Sequence, residues 1–296
     1  MSTPEPRPPA PPKPPRRVVY IGGYGRSGST LLGRVFAEKR NVLHLGEVHR
    51  GLPKARKHGR MCTCGRTVAE CPAWGTSRKR RARMMRKGGL EGHAGILRSM
   101  LKQGRWRTVV DSSKTAWGHA SDPIRLKPLV EPYAFTLVHL VRDPRGVLWS
   151  VLRERAADRR SSVFAQAWHA ISVSVGWCYA NYACLRFQRR FPEDYVRVRY
   201  EHAIRHGLPQ SLARLAPTDP LRGKRIENKF DNHHALAGNR MRRSDEIAIE
   251  LDDAWRRDMP RSLSLAVLAL TWPLRRLYRT APSGPPLAHN RERLST

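Results

Sequence analysis

Two groups of residues in this sequence have the types and spacing to hold anions, and a third has the types to hold a metal. The first is Gly23-Tyr24-Gly25-Arg26-Ser27-Gly28-Ser29-Thr30. Glycines let successive backbone N–H groups turn inward around an anion, and a helix beginning beside them adds its positive end. Arg26 places a forked cation inside the loop. The second is Arg142-Asp143-Pro144-Arg145-Gly146, with Ser150 on the same segment. A guanidinium and a hydroxyl about two helical turns apart can share one phosphate. The third is Cys62-Thr63-Cys64-Gly65 with Cys71-Pro72-Ala73-Trp74. Its thiols fit zinc, if His58 or another group joins them, a disulfide, or buried free thiols.

The elements needed to position these groups are legible around them. Val18-Val19-Tyr20-Ile21 is a short apolar run bounded by glycines and reads as a buried strand, with helical spacing resuming from Ser29 to Phe36. Val42 to Leu45, Thr108 to Val110, Phe135 to Val141 and the alternating Tyr195 to Tyr200 read as further strands. Pro144 suits the first turn of a helix running through Leu152. Phe164 to Arg189 reads as one long helix, with Trp168, Trp177, Tyr182 and Phe187 as core positions. Strands alternating with helices indicate βαβ units and a parallel sheet. Ligands bind beyond the carboxyl ends of such strands, which brings Arg142 and the glycine-rich loop to one edge. One site could then hold two separate phosphate groups.

The chain has 296 residues with a formal net charge of +32, so polyanions are expected partners in the broad sense. Residues 1–16 are half proline and read as a disordered tail; residues 281–296 read as a flexible one. Residues 50–106 are rich in Gly, Arg and Lys and carry the basic run Arg78 to Lys87, which suggests an inserted cap. No apolar run reaches the roughly 20 residues of a membrane span, and no secretory leader is visible, so a cytoplasmic location is expected. The basic run suits a solvated face or peripheral contact with anionic lipid, and Leu263 to Tyr278 a packed helix.

The loop Gly23–Thr30 matches the spacing of a P-loop, but Ser29 stands where a nucleotide triphosphatase has its Lys. That Lys reaches the β- and γ-phosphates, so ATP or GTP chemistry is disfavoured. The loop and the Arg142–Ser150 segment together resemble the sulfotransferases that use 3′-phosphoadenosine 5′-phosphosulfate (PAPS). The loop is similar to their 5′-phosphosulfate loop, with Arg in place of Lys as in tyrosylprotein sulfotransferases. Arg142 through Ser150 is similar to their 3′-phosphate motif. Asp111-Ser112-Ser113-Lys114, Arg199-Tyr200-Glu201 and Gly238-Asn239-Arg240-Met241-Arg242 resemble further family segments, although Arg240 stands where Pro is common.

This resemblance implies a P-loop NTPase-like three-layer α/β/α fold over 17–280, with a central parallel sheet and the inserted cap. It implies sulfuryl transfer from PAPS to a hydroxyl or amine, leaving adenosine 3′,5′-bisphosphate (PAP), with no metal required. Gly25, Arg26, Ser27, Gly28, Ser29, Thr30, Arg142, Ser150, Tyr200, Gly238, Asn239, Arg240 and Arg242 would bind the donor. Glu47, just past the second predicted strand, would take the acceptor's proton, with His44, His49 and His119 as alternatives. Arg26 and Lys114 would stabilise charge on the leaving group, and Ser113 would donate to the same group. Asp111 reads as a capping carboxylate. The acceptor is a small molecule, carbohydrate, lipid or peptide. A small-molecule P-loop kinase and a basic nucleic-acid-binding protein are the rival readings, although no nucleic-acid-binding motif stands out.

Overall fold

The computed structural model describes residues 15–55, 59–75, 88–156, 163–227 and 232–280. The predicted tails fall almost wholly outside these residues, and His58 and the basic run Arg78 to Lys87 wholly so. Arg16 is already tied down: its carbonyl accepts from the Ala134 amide at 3.0 Å, and its guanidinium donates to the Leu101 carbonyl at 2.8 Å.

Five strands form one parallel sheet. They are β1 (Arg17–Gly22), β2 (Val42–His44), β3 (Thr108–Asp111), β4 (Ala134–Val141) and β5 (Tyr195–Arg199), in the order β2-β3-β1-β4-β5. Val18 of β1 sits opposite Val109 on one side and Phe135 on the other. Alternation then sends Val18 and Tyr20 to one face and Val19 and Ile21 to the other. Both faces are covered, which is why the strands read as continuous apolar runs.

Helix α1 (Ser29–Ala37) packs on the Val19 face. After α2 (Val48–Ala55), helices α3 (Gly89–Lys102) and α4 (Asp122–Leu129) pack on the Val18 face. The Val18 face is also covered by α6 (Val163–Arg190), which follows α5 (Pro144–Ala156). Helix α7 (Tyr200–His206) joins α1 on the opposite face. This is a three-layer α/β/α arrangement. The segment read as a cap is therefore narrower than 50–106. Ala94, Ile96, Leu97, Met100 and Leu101 of α3 are core residues beneath the sheet, so that helix is part of the main layer.

The chain ends in α8 (Trp255–Asp258) and α9 (Arg261–Thr280). Leu263 to Tyr278 lies inside α9, which buries Val267 and Leu274 against α5 and α6. Among the described residues no helix is long and apolar enough to cross a membrane.

The long helix α6 corrects one expectation. Trp177 and Phe187 are core residues, but Trp168 is 67% and Tyr182 46% exposed. Nine residues are two and a half turns, so Trp168 lies opposite Trp177 on the helix. Only the Trp177 side faces the sheet, α5 and α9. Trp177→Ala is expected to cost about 3–5 kcal/mol in urea unfolding, because it opens a large cavity. Trp168→Ala should stay within about 0.5 kcal/mol. Equal costs would show that the helix phase is wrong.

Candidate active site

The crossover from β1 to β2 leaves in one direction along the sheet and that from β4 to β5 in the other. Their carboxyl ends therefore part, and a crevice opens between them. A cleft of about 470 Å³ occupies this place.

Its floor is the turn between β1 and α1. Gly23 has φ 117° and a Cβ there would sit 2.4 Å from the Leu140 carbonyl oxygen, so the close passage of two strand ends demands glycine. Gly28 has φ 94°, and a Cβ would meet the Tyr200 ring at 2.9 Å. Arg26 is left-handed as well, at φ 65°, although it carries a side chain. The turn directs the first amides of α1 at the cleft, and the first turn of that helix carries no acidic residue. A Cβ on Gly25 would meet nothing within 4 Å, so this part of the cradle is open. The Ser27 hydroxyl is buried there without a hydrogen-bond partner. A compact anion fits both features.

A second wall is built on β4 and α5. Arg142 is 5% exposed and is held from several sides. Its guanidinium donates to the Arg26 carbonyl at 3.0 Å and to the Asp252 carbonyl at 2.9 Å. It also pairs with the Asp252 carboxylate at 2.9 Å and lies 4.7 Å over the Tyr200 ring. Its Nε is buried without a hydrogen-bond partner, 3.1 Å from where a Cβ on Gly146 would sit. Ser150 and, one turn further, Glu154 line the same wall. Arg26 reaches across to form an ion pair with Glu154. Behind this wall the Asp143 amide donates to the Glu201 carboxylate at 2.8 Å, which joins α5 to α7.

The third wall follows β2 and β3. Glu47 is 2% exposed. One carboxylate oxygen accepts from the Lys114 ammonium and the other from Arg50 at 3.2 Å. Burial alone would push the Glu47 carboxyl up. The Lys114 ammonium, with Arg50 and His49 behind it, outweighs that and holds the carboxyl below its ordinary range. Lys114 sits at φ 71°, with its amide donating to the Ile21 carbonyl at 3.2 Å. The loop after β3 is thus fixed to the end of β1. Asp111 anchors the same loop: it accepts from the Val48 and Ser113 amides and from the Ser113 hydroxyl, and pairs with His93 at 2.7 Å. It caps α2, and Ser113 is held by it.

The roof is the segment after residue 232. His234 donates its amide to the His44 carbonyl at 2.9 Å, adding a short parallel bridge beside β2. Gly238, Asn239, Arg240 and Arg242 then line the cleft, with Gly238 facing Thr30. Asn239 caps its own turn by accepting from the Met241 amide at 3.1 Å. Arg34 of α1, 2% exposed, donates to the carbonyls of Met241 at 3.2 Å and Ser244 at 2.6 Å.

The candidate residues from the sequence therefore meet in one cleft, with Ser27 just behind its lining. The alternative histidines do not line it. His44 is wholly buried against His233 and Ser112, and burial holds it well below its ordinary range. His49 packs against His119 with the rings tilted and their centroids 4.2 Å apart, and burial lowers it to about 4. Sequence reasoning missed Asp252, Glu154 and Arg34. Single charged residues outside any motif carry no local signal, and only the fold brings them to the site.

Residues 18–211 match the profile of the Sulfotransferase family. The fold is similar to that of a sulfotransferase domain from the Synechococcus PCC 7002 olefin synthase. That match has 18% identity and a TM-score of 0.51, and covers 89% of this chain and 96% of that one. A sulfotransferase domain from the curacin biosynthetic pathway is similar at 18% identity and TM-score 0.50, covering 89% and 98%. Among curated protein sequences no match was found.

The Glu47 environment yields a direct test. In a ¹³C-carboxyl titration assigned with Glu47→Gln, Glu47 is expected to titrate below the ordinary carboxylate range. Its ion pair then contributes stability above the unfolded-state value, lost as pH falls through the folded value. In Lys114→Met the burial remains and the opposing ammonium is gone, so the carboxyl should move up. An unmoved titration would show that Lys114 does not hold it.

Proposed function

We propose that this chain, which belongs to the sulfotransferase family, moves the sulfuryl group of PAPS to a hydroxyl or amine of an acceptor. The observation that carries the reading is a single cleft with two separate anion-holding walls. One is the amide cradle with Ser27 and Arg26; the other is Arg142 with Ser150. PAPS carries a 5′-phosphosulfate and a 3′-phosphate, and such a pair of walls suits it. Ser29, in place of the Lys that a triphosphate needs, speaks against the kinase reading.

In this reading the cradle Gly25–Thr30 holds the 5′-phosphosulfate, and Arg142 and Ser150 hold the 3′-phosphate. The Tyr200 ring keeps Arg142 in place. Gly238, Asn239, Arg240 and Arg242 close over the nucleotide. PAPS supplies an activated sulfuryl group and a phosphate leaving group. Glu47, ionised by its surroundings, accepts the proton of the attacking hydroxyl. Arg26 and Lys114 meet the charge that builds on the leaving group. No metal has a step in this scheme. Trp117 is 57% exposed and stacks on Tyr179 at 6.3 Å, three residues beyond Lys114, a surface suited to an acceptor ring.

Calorimetric titration of PAP, with ATP and AMP as controls, tests the donor. Micromolar or tighter PAP binding, weakened by Arg142→Ala, is expected. Preference for ATP would overturn the reading and favour a kinase. Once an acceptor is in hand, Glu47→Gln should abolish turnover while PAP still binds. Lys114→Ala should lose roughly 10²–10³ in rate. Full activity in Glu47→Gln would remove Glu47 from the chemistry.

A further inference from the structure

Away from the cleft floor, Cys62, Cys64, Cys71 and His234 converge. Their ligand atoms all lie within 4.8 Å of one another, and all but Cys64 are buried. Nδ1 of His234 is 3.3 Å from the Cys71 sulfur and 3.8 Å from that of Cys62. Three sulfurs and one nitrogen arranged tetrahedrally round one zinc ion stand roughly 3.5–3.8 Å apart, given Zn–S and Zn–N bonds of about 2.3 and 2.0 Å, close to the separations seen here. From this geometry we propose that the chain holds one structural Zn²⁺ in a Cys₃His site.

The backbone around the cluster is shaped for a metal. The Gly65 amide donates to the Cys62 carbonyl at 3.1 Å and the Cys62 amide to the Arg66 carbonyl at 2.9 Å, a tight turn that presents Cys62 and Cys64 together. The Trp74 amide donates to the Cys71 sulfur at 3.4 Å, a bond that favours thiolate at that position. The Trp74 indole donates to the His234 carbonyl at 2.7 Å, and the Ala235 amide to the Thr63 hydroxyl at 2.8 Å. The fourth ligand is therefore held in place from outside the metal sphere. The cysteines form no disulfide. An iron–sulfur cluster would divide its four ligands between iron atoms and spread them further than these lie. Soft thiolate donors with one imidazole, close-set around a single point, select zinc.

The ion would have a structural task. Residues 59–75 and the segment 232–237 are separate in sequence, and His234 is the only ligand on the second. Joining them fixes the segment that runs on to Gly238 and Arg242. It also fixes the Ala237 carbonyl, which accepts from the Glu47 amide at 3.3 Å. Four ligands leave no open coordination position, so the ion itself takes no part in transfer.

Elemental analysis tests this on full-length protein purified without metal-affinity resin or chelator. About one zinc per chain is expected. Cys64→Ser, at the most exposed ligand, and His234→Ala should each lose it, while Cys178→Ser keeps it. Cobalt exchanged into the site should show thiolate-to-cobalt charge-transfer absorption, absent in Cys64→Ser. Stripping the metal should lower the melting temperature by about 5 °C or more and expose Cys62, Cys64 and Cys71 to thiol reagents. Metal-free protein that takes up no zinc or cobalt on titration, or equal zinc in Cys64→Ser and wild type, would overturn the proposal. None of these readouts uses PAPS, so the outcome is independent of the donor assignment.

Discussion

The cleft depends on gathering cations against their mutual repulsion. Arg26, Arg50, Lys114, Arg142, Arg240 and Arg242 all line a space of about 470 Å³. Two like charges about 4 Å apart at a protein surface repel by roughly 4 kcal/mol. Carboxylates interleaved among them offset this. Arg26 pairs with Glu154, Lys114 and Arg50 with Glu47, and Arg142 with Asp252. Most of these pairs are partly exposed and contribute little stability. Their effect is geometric: each carboxylate fixes where a cation points. Arg142 is the exception, since it is nearly buried, and an uncompensated guanidinium there would be costly. Asp252, two backbone carbonyls and the Tyr200 ring all serve that one charge.

The scaffold makes this gathering feasible because three parallel strands end side by side. Parallel pairing of β1 with β3 and β4 puts the loops after all three at one edge. The contacts between those loops then join side chain to backbone. The Gly23 amide donates to the Thr115 hydroxyl at 3.0 Å, and Arg142 donates to the carbonyl of Arg26. Shifting any one loop would disturb the others. Arg34 extends the same logic to the roof, tying the 241–245 turn to α1 through its guanidinium. The charge of +32 for the chain is thus partly organised. Some of its arginines hold backbone, and others face the cleft.

What was legible in the sequence was local. Gly23–Thr30 announced itself through the P-loop spacing of its glycines, arginine and hydroxyls, straight after an apolar strand. Arg142 was legible from its place at the end of a buried run. Features that arise only from three-dimensional closure were not. Asp252 belongs to no motif, and Glu154 reads as an ordinary exposed helical residue. His234 gives no sign in the sequence of belonging with the cysteines, since it lies 163 positions beyond Cys71. The phase of α6 was misread for a related reason. Aromatic residues occur on both sides of that helix, so spacing alone did not say which side the sheet would cover.

Glu47 presents a chemical tension that the geometry can resolve. A carboxylate held below its ordinary range by an ammonium is reliably ionised, yet it is a weak base. The same Lys114 is the group proposed to meet charge on the leaving phosphate. As that charge grows, the ammonium interacts more strongly with it and less with Glu47. Burial, the largest influence on Glu47, then acts with less opposition and raises its proton affinity. The base would therefore strengthen as the acceptor's proton is released. Such coupling needs Lys114 to sit between carboxylate and cradle. Its backbone is tied to the end of β1 through Ile21, and its side chain lines the cleft in contact with Glu47.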